Sequence, residues 1–253
     1  MNPATRDAFW STLPLGPGVE VLTRDANGLA ALAKPAGVRS HPNDDHVDKH
    51  ALLHAAYRMD GEFYEWTPPG AALPSRLWLL NRLDSATSGV ILVAADGALA
   101  AAIKELFQRK RVRKIYQALV FGVPPRLVEL WRDRLRVEKA GGQVRATAGG
   151  GVPAETQATV LRANPRADPP LALLRLEPRT GRSHQLRVQC AERRLPIVGD
   201  LTYGDFAANR EYFRAGGARR LFLHSLETAF DYDWKGRTHH FSAKAPLPPE
   251  FKV

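Results

Sequence analysis

The sequence has few of the residues that support disulfide or thiolate-metal chemistry, since Cys190 is the one cysteine among 253 residues. A single thiol excludes an internal disulfide and a cysteine-rich zinc site. No run approaches the roughly 18 to 20 apolar residues that span a membrane, and the first residues, MNPATRDAFW, lack the charged-then-apolar order of a signal peptide. We therefore expect a cytoplasmic protein, not membrane-bound, in which any metal would have to be held by His, Asp and Glu.

Positive charge, in contrast, is abundant. Lys and Arg total 36 against 26 acidic residues, which gives a net charge of +10 and favours a polyanionic partner such as RNA, DNA or anionic lipid. Of the basic residues 27 are Arg, whose planar fork suits bidentate phosphate contacts. A GC-rich genome would also raise the share of Arg, but it would leave the net charge unexplained. The 44% apolar content is that of a folded globular protein.

The pattern of apolar residues predicts many strands and few helices. Short strands are predicted on both sides of a turn within residues 19–34, and further strands over 90–95, 115–120, 157–163, 171–177 and 221–232. The Pro- and Gly-rich stretch 61–74 predicts an irregular surface loop, and Gly149 to Gly151 predict a hairpin turn. No Gly-Lys-Ser/Thr follows these glycines, so they do not indicate a phosphate-binding loop.

Three histidines, His46, His50 and His54, follow one another at helical i, i+4, i+8 spacing. On one helix face they would resemble the ligand set of some zinc sites. No His-Glu-x-x-His frame accompanies them, and Asp44 or Asp45 suits a helix N-cap. The pattern therefore favours a solvated helix start, and we predict no metal site.

A polar island separates two apolar stretches in residues 77–95, LWLLNRLDSATSGVILVAA. The unbroken run 90–95 is typical of a buried central strand, so Asp84, delivered to its edge, is expected to be partly buried. In an extended segment Arg82 and Asp84 point to the same side. The segment alone leaves a structural alternative open, in which Asp84 caps the next turn and Arg82 pairs with it.

Asp96 is predicted to cap a helix of about 14 residues with the apolar stripe Leu99, Ile103, Leu106 and Phe107. It ends in RKRVRK, residues 109–114, where five of six side chains are positive. A charge run is usually a solvated face. This one directly precedes an apolar strand that carries Tyr116, which favours contact with RNA.

Residues 179–187, RTGRSHQLR, are predicted to join a strand to a helix capped by Ser183. Free N–H groups at such a helix start, flanked by three arginines, would bind an anion. Arg187 falls in the first helical turn, where the helix dipole does not favour a cation. A buried carboxylate is the partner we expect for it.

Several of these segments resemble motifs of the RluA-type pseudouridine synthases. Asn81 to Gly89 is similar to the family's His-Arg-Leu-Asp-x-x-Thr-Ser-Gly, and Thr180 to Arg187 to its Thr-Gly-Arg-Thr/Ser-His-Gln-Ile/Leu-Arg. The other matching segments are Lys34 to Gly37, Lys114 to Tyr116, Pro196 to Asp200, Tyr203-Gly204 and Leu223-His224. The resemblance covers roughly residues 19–251. Two positions depart from the family's pattern, since Asn81 and Gln189 each stand where His is usual; they bear on substrate choice more than on chemistry.

The resemblance implies an isomerase that converts uridine in structured RNA, rRNA or tRNA, to pseudouridine without a cofactor or metal. It implies Asp84 as the nucleophile, Arg187 as the cation that keeps Asp84 ionised, and Tyr116 as a general base or stacking platform for the uracil. Candidate RNA-binding residues are Arg82, Leu83, Arg179, Arg182, His184, Gln185, Arg109, Lys110, Arg111 and Arg113.

The implied fold is α+β, the pseudouridine synthase fold: a long, mixed, mainly antiparallel β-sheet flanked by helices and loops with a central RNA-binding cleft. We expect a short extension at residues 1–18 and a catalytic domain at 19–253. Eighteen residues are too few for the S4 domain of many relatives, so specificity is expected from the catalytic domain, through 109–114 and 61–75. No obligate protein partner is indicated, and we expect a monomer. The alternative is a non-catalytic RNA-binding descendant of the family, which need not retain Asp84, Tyr116 and Arg187 together.

Overall fold

The computed structural model describes residues 8–42, 47–140 and 143–253. The chain divides into two compact units. The first comprises Met1–Val112 with Glu227–Ala245, and the second comprises Arg113–Leu226 with Pro246–Val253. Residues of the range 19–253, predicted as one catalytic domain, are present in both units.

The first unit consists of antiparallel strands, helix α1 and a short helical stretch at residues 8–11. Its elements are β1 (Glu20–Arg24), β2 (Leu29–Lys34), β3 (Ala56–Arg58), β4 (Phe63–Trp66), β5 (Ser75–Leu79), β6 (Ser88–Ala94), α1 (Gly97–Gln108), β13 (Arg237–Lys244) and residues 227–234 of β12 (Leu223–Trp234). β2 pairs with β1 and β6, the order β3-β4-β5-β6 is continuous, and β13 pairs with β12. The pair β1–β2 and its turn confirm the prediction for residues 19–34.

The core of the first unit lies on both faces of β2 and β6. Every residue of β6 is buried. Ile91 and Val93 pack into one apolar cluster, whereas Val90 and Leu92 pack into a second cluster. Because side chains alternate along a strand, an unbroken apolar run such as 90–94 is what a strand covered on both faces requires. The predicted buried strand is thus confirmed.

Helix α1 covers the second of these clusters. Asp96 is its N-cap, and its Oδ1 accepts the backbone N–H of Leu99 at 2.8 Å. Leu99 and Ile103 are fully buried, and Leu106 and Phe107 pack partly buried beside them. The predicted cap and apolar stripe are confirmed.

The second unit consists of antiparallel strands, with two short helices described in it. Its elements are β7 (Arg113–Phe121), β8 (Val128–Ala140), β9 (Gln143–Ala148), β10 (Val152–Asn164), β11 (Leu171–Pro178), α2 (Gln185–Glu192), α3 (Phe206–Arg214) and residues 223–226 of β12. The strand order is β7-β11-β10-β8-β9, and every pair in it is antiparallel. The fold class, α+β with a mainly antiparallel arrangement, is confirmed.

Helix α2 packs on one face of β8, β9 and β10. Val188 contacts a small cluster formed by Leu135, Ala146 and Ala154. The turn between β9 and β10 needs glycine at 151, because φ there is +80° and a Cβ would lie 2.1 Å from the Leu135 carbonyl oxygen. The predicted hairpin turn at 149–151 is confirmed, and α2 is fixed on the sheet beside it.

The structure also tests the predictions made for residues 47–54, for residues 61–74 and for membrane spans. The described residues 47–54 form turns and isolated bridges and no helix, because Arg39 pairs with Ala51 and Leu15 with Leu53, so the predicted helix start is wrong; His46, Asp44 and Asp45 lie outside the described residues. The stretch 61–74 is only partly loop, since β4 pairs there with β3 and β5. Over the ranges that the structure describes, no helix is long and apolar enough to cross a membrane.

Candidate active site

Asp84 lies in the loop between β5 and β6, and the backbone before it is fixed. Leu83 is buried; its N–H donates to the Ser40 hydroxyl (3.0 Å), and its carbonyl accepts from the same hydroxyl (2.7 Å). Two positions earlier, Asn81 Oδ1 accepts the backbone N–H of Leu92 in β6 (2.8 Å). The partly buried carboxylate of Asp84 is therefore presented from a backbone held against the core of the first unit.

Lys34 fixes the same loop on the other side of Asp84. The residue is only 1% exposed, and its Nζ donates to the carbonyl oxygens of Pro35 (3.0 Å), Val38 (2.6 Å) and Ser85 (3.0 Å). A buried cation is tolerated when it has such partners. Because Ser85 directly follows Asp84, the Lys-Pro-Ala-Gly motif positions the candidate nucleophile. Arg82, which precedes Leu83, is exposed.

Tyr116 belongs to the second unit and lies in β7 opposite Leu176 of β11. It is partly buried. Lys114 occupies the same face of β7, because side chains alternate along a strand, and the two Cα atoms are about 7 Å apart. The strand predicted to carry Tyr116 is confirmed, and its face holds a second polar residue of the Lys-x-Tyr motif.

Gln185, the first residue of α2, holds the loop that precedes this helix. Its Oε1 accepts from the Thr180 hydroxyl (2.7 Å) and from the Arg182 backbone N–H (3.1 Å). Its Nε2 donates to the Glu155 carbonyl (3.1 Å) and to the Thr156 hydroxyl (3.0 Å) in β10. Gln185 is buried, and these contacts hold the loop in place; its contact with RNA stays a prediction.

The N-cap of α2 is His184 and not Ser183, so the predicted cap is wrong. His184 adopts the left-handed conformation, with φ of 55°, and makes no side-chain cap bond. Its Nδ1 lies 2.8 Å from the hydroxyl of Tyr203, which fixes the ring. The predicted serine cap fails because the loop is closed by the Gln185 side chain instead.

The other arginines of this motif lie along β10. Arg179 is exposed, and its backbone N–H donates to the Glu155 carbonyl (2.9 Å). Arg182 Nε donates to the Pro153 carbonyl (3.2 Å). Both predicted RNA-binding residues thus lie in an ordered loop with their guanidinium groups at its surface.

Arg187 is paired with the buried carboxylate of Asp200. Its Nε and Nη2 each donate to one carboxylate oxygen at 2.8 Å, and the two side chains are only 9% and 1% exposed. Burial alone would raise the pKa of Asp200, but the hydrogen bonds and charge of Arg187, with the backbone N–H groups of Tyr203 and Thr202, bring that pKa below its ordinary value. A buried carboxylate was predicted as the partner of Arg187. The motif match over residues 196–200 included Asp200 but gave it no role.

Tyr203 joins these parts of the second unit. Its ring centroid lies 5.1 Å from Cζ of Arg187, and its hydroxyl accepts the backbone N–H of Ala146 (2.8 Å) as well as contacting His184. The sequence offered a signal for it only through the Tyr-Gly pair of the resemblance. Tyr203 therefore links Arg187, His184 and β9, a role that the sequence alone did not assign to it.

Both positions that depart from the family's pattern have internal partners. Asn81 Oδ1 accepts the backbone N–H of Leu92. Gln189 is fully buried; its Oε1 accepts from the Thr156 hydroxyl and its Nε2 donates to the Asp133 carboxylate, both at 2.6 Å. In a buried position an amide can both donate and accept, as these partners require. The two substitutions therefore satisfy hydrogen bonds inside the protein.

The residues of the basic segment 109–114 differ in burial and in whether an acidic side chain lies beside them. Arg109 pairs with Glu105 (2.6 Å), Arg113 pairs with Glu177 (3.3 Å), and Arg111 is exposed. Lys110 is exposed as well, with φ of 58° just after the end of α1. Lys114 differs from these four, because burial lowers its pKa from 10.5 to about 8. The predicted polyanion-binding surface thus consists of exposed side chains, two of which have acidic neighbours.

Nothing in the described part of the chain forms a candidate metal centre, since no group of three His, Cys, Asp or Glu residues there could hold an ion. His50 and His54 are exposed, and the His54 Nε2 lies 3.0 Å from the Lys49 carbonyl.

Comparison with known proteins identifies the class to which this arrangement belongs. The model of the RNA pseudouridylate synthase family matches residues 28–192. The tRNA pseudouridine synthase C of Vibrio cholerae is 29% identical over 218 residues, which cover 80% of this chain and 81% of that protein. The corresponding enzyme of Salmonella typhi is 31% identical over 234 residues, 87% of this chain and 82% of that protein.

Two further relatives extend the comparison. The ribosomal large subunit pseudouridine synthase C of Pasteurella multocida is 30% identical over 233 residues, 88% of this chain and 63% of that protein. The solved structure of human RNA pseudouridylate synthase domain containing 1 matches with a TM-score of 0.67 and 25% identity, over 94% of this chain and 89% of that one. This chain belongs to the RNA pseudouridylate synthase family. It is an isomerase that converts uridine in RNA to pseudouridine, which confirms the predicted class of activity.

Proposed function

We propose that this enzyme isomerises specific uridines in rRNA or tRNA, with Asp84 as the nucleophile. The observation that carries the assignment is the setting of Asp84. Its carboxylate is partly buried on a loop fixed by Ser40 and Lys34, and it stands at the aspartate position of the family's motif. A nucleophile has to be held in one geometry against its target atom, and a loop tied down on both sides provides that.

The reaction needs a nucleophile and a proton acceptor and consumes no other reagent. The bond between uracil N1 and ribose C1′ breaks, the base turns, and a bond forms between C5 and C1′. The carboxylate of Asp84 can attack either C1′ or uracil C6, and it leaves again when the new bond forms. The proton on C5 is lost and N1 gains one, so the product is an isomer with no change of redox state.

Tyr116 and Arg187 complete the proposed catalytic set. Tyr116 presents a partly buried ring from β7, which suits stacking on a flipped uracil or accepting the C5 proton. For Arg187 the resemblance implies that it keeps the nucleophile ionised. Its two hydrogen bonds to Asp200 support this role, because they hold the guanidinium group in one orientation.

The RNA class is proposed from the relatives and from charge. The relatives are named for tRNA and for the large ribosomal subunit, and this chain carries a net charge of +10. Exposed cations at Arg111 and Lys110, with Arg179 and Arg182 beside α2, would contact phosphates. Structured RNA of either class is thus the proposed substrate, and the enzyme is proposed to work as a monomer in the cytoplasm.

Pseudouridine mapping tests the proposal. RNA from cells lacking the gene should lose pseudouridine at one or a few positions of tRNA or rRNA, and the wild-type gene should restore them. The Asp84→Asn gene should not restore them, whereas Asp60→Asn, an exposed carboxylate of the same unit, should. If no position changes and purified protein forms no pseudouridine in total tRNA or rRNA, the proposed function is wrong, and a non-catalytic RNA-binding role takes its place.

A further inference from the structure

Lys114 is a half-buried lysine of the second unit, and the catalytic set proposed above gives its amine no role. Across the described residues, its Nζ makes no hydrogen bond and no ion pair. Two fully buried cations are different, since Lys34 bonds three carbonyl oxygens and Arg187 bonds Asp200. A desolvated ammonium group without an acceptor is unfavourable, and burial accordingly lowers the pKa of Lys114 to about 8.

The position of the amine relates it to the Thr180 to Arg187 motif. A Cβ built on Gly181 would lie 3.8 Å from Nζ of Lys114, so the amine adjoins the exposed tip of that loop. Gln185 holds the loop through Thr180 and the backbone of Arg182. Lys114 is therefore a cation beside a rigid backbone segment and not a side chain that swings freely in solvent.

Its position also relates it to the reacting nucleotide, if the proposed function is correct. Lys114 and Tyr116 share a face of β7, about 7 Å apart along the strand. A nucleotide whose uracil contacts the ring of Tyr116 has its own backbone phosphates within a comparable distance of the base. Uracil and ribose are neutral, so a phosphate is the part of the substrate that supplies the missing counter-charge.

We propose that Lys114 binds a backbone phosphate that flanks the target uridine, and so positions the ribose during the reaction. The inference rests on the proposed function of this site. The uracil is detached and turned before it rejoins C1′, so the base itself cannot hold the nucleotide throughout. A charge-assisted hydrogen bond from a fixed amine to the phosphate would hold the ribose while the base moves.

The test combines a change in the protein with a change in the RNA. The substrate is a synthetic RNA containing a uridine that the wild-type protein modifies. Two variants of it carry a neutral methylphosphonate at the phosphate 5′ or 3′ to that uridine. A 2′-deoxy sugar on the 5′ side of the linkage keeps it stable, and it is present in the matched control RNA. Wild type, Lys114→Met and Lys252→Met are compared, Lys252 being an exposed lysine of the same unit.

The expected result is non-additivity at one phosphate. Lys114→Met on the control RNA, and the methylphosphonate with wild type, should each lower kcat/KM by about tenfold to a hundredfold, the effect of losing one hydrogen bond between charged groups. When Lys114→Met acts on the methylphosphonate RNA, kcat/KM should be little lower than with either change alone. Lys252→Met should instead lose as much kcat/KM on the methylphosphonate RNA as wild type does. Additive losses at both phosphates would overturn the proposal.

Folding and function are separated by two further readouts. Lys114→Met should keep or raise the midpoint of thermal unfolding, because it removes a buried unpaired charge; a large decrease would show an internal structural role and contradict the proposal. If the variant does not fold, wild-type protein still tests the proposal. An unchanged kcat/KM of wild type on both methylphosphonate RNAs would refute the phosphate contact. If wild type forms no pseudouridine in any RNA, the proposed function itself has failed, which is a separate outcome.

Discussion

Replacing Asp200 with asparagine would remove the carboxylate charge that the buried guanidinium of Arg187 binds. The carboxylate is 1% exposed and accepts four hydrogen bonds, two from Arg187 and one each from the backbone N–H groups of Thr202 (2.8 Å) and Tyr203 (3.0 Å). Asparagine keeps the shape, but its amide nitrogen would face donors. The change therefore tests how much the buried ion pair contributes to the free energy of unfolding.

The magnitude follows from burial. Removing one partner of a buried ion pair typically costs about 3 to 5 kcal/mol, because the other charge stays desolvated. The exposed pair Arg109–Glu105 provides the control, since both side chains are more than half exposed at a 2.6 Å separation. Glu105→Gln removes the same charge and should cost about 0.5 kcal/mol or less.

The assay is urea unfolding followed by tryptophan fluorescence and by circular dichroism. Arg187→Met and the double variant Asp200→Asn/Arg187→Met complete a cycle, in which the double variant should be more stable than the sum of the two single losses implies. If Asp200→Asn destabilises no more than Glu105→Gln does, the reasoning about the buried pair is refuted.

The same pair predicts a pH dependence. Since the pKa of Asp200 in the folded protein lies below its ordinary value, its contribution to stability is complete above the ordinary carboxyl range, at about pH 5, and is lost as the pH falls through the folded pKa. Wild type should therefore lose more stability than Asp200→Asn as the pH is lowered from about 5 to about 3. Parallel losses in the two proteins would contradict this.

Three further predictions concern RNA. Arg82→Ala should slow turnover much more on a stem-loop than on RNA with an already unstacked target uridine, because flipping costs a few kcal/mol that an arginine can offset; equal losses on both RNAs would exclude a role in flipping. Neutralising Arg109, Lys110, Arg111 and Arg113 together should weaken RNA binding. It should also reduce the slope of log affinity against log salt concentration, by about 0.7 to 0.9 for each phosphate that the protein no longer neutralises. Binding titrations in increasing salt would measure this, and an unchanged slope would mean that these residues form a solvated face. Finally, kcat/KM should fall as the pH rises through about 8, where the amine of Lys114 beside Gly181 loses its charge. This fall should be absent in Lys114→Arg on the same RNA, and a fall that persists unchanged would be due to another group.

The sequence predicted those features that depend on local patterns. The run 90–94 has to be a strand covered on both sides, and Asp96 ahead of an apolar stripe has to begin a helix, because each pattern fits few alternatives. The fold class and activity followed from ordered motifs of unusual residues. The location of Asp84 on the strand-edge loop was expected for the same reason.

Contacts between distant parts of the chain were not predictable. Nothing in residues 47–54 indicates that Ala51 pairs with Arg39, so their helical histidine spacing was misleading. The Gln185 side chain closes its own loop, and that contact displaced the expected serine cap. Asp200 was recognisable as part of a motif, but only the folded chain shows that it holds Arg187.

The central claim is that Asp84 is the nucleophile of a pseudouridine synthase. Release of tritium from RNA labelled at uridine C5 measures the reaction directly, because that hydrogen leaves only when C5 bonds to C1′. Asp84→Asn should abolish the release while RNA binding and the unfolding midpoint remain close to wild type, and Asp60→Asn should release tritium normally. Release by Asp84→Asn within about tenfold of the wild-type rate would contradict the account.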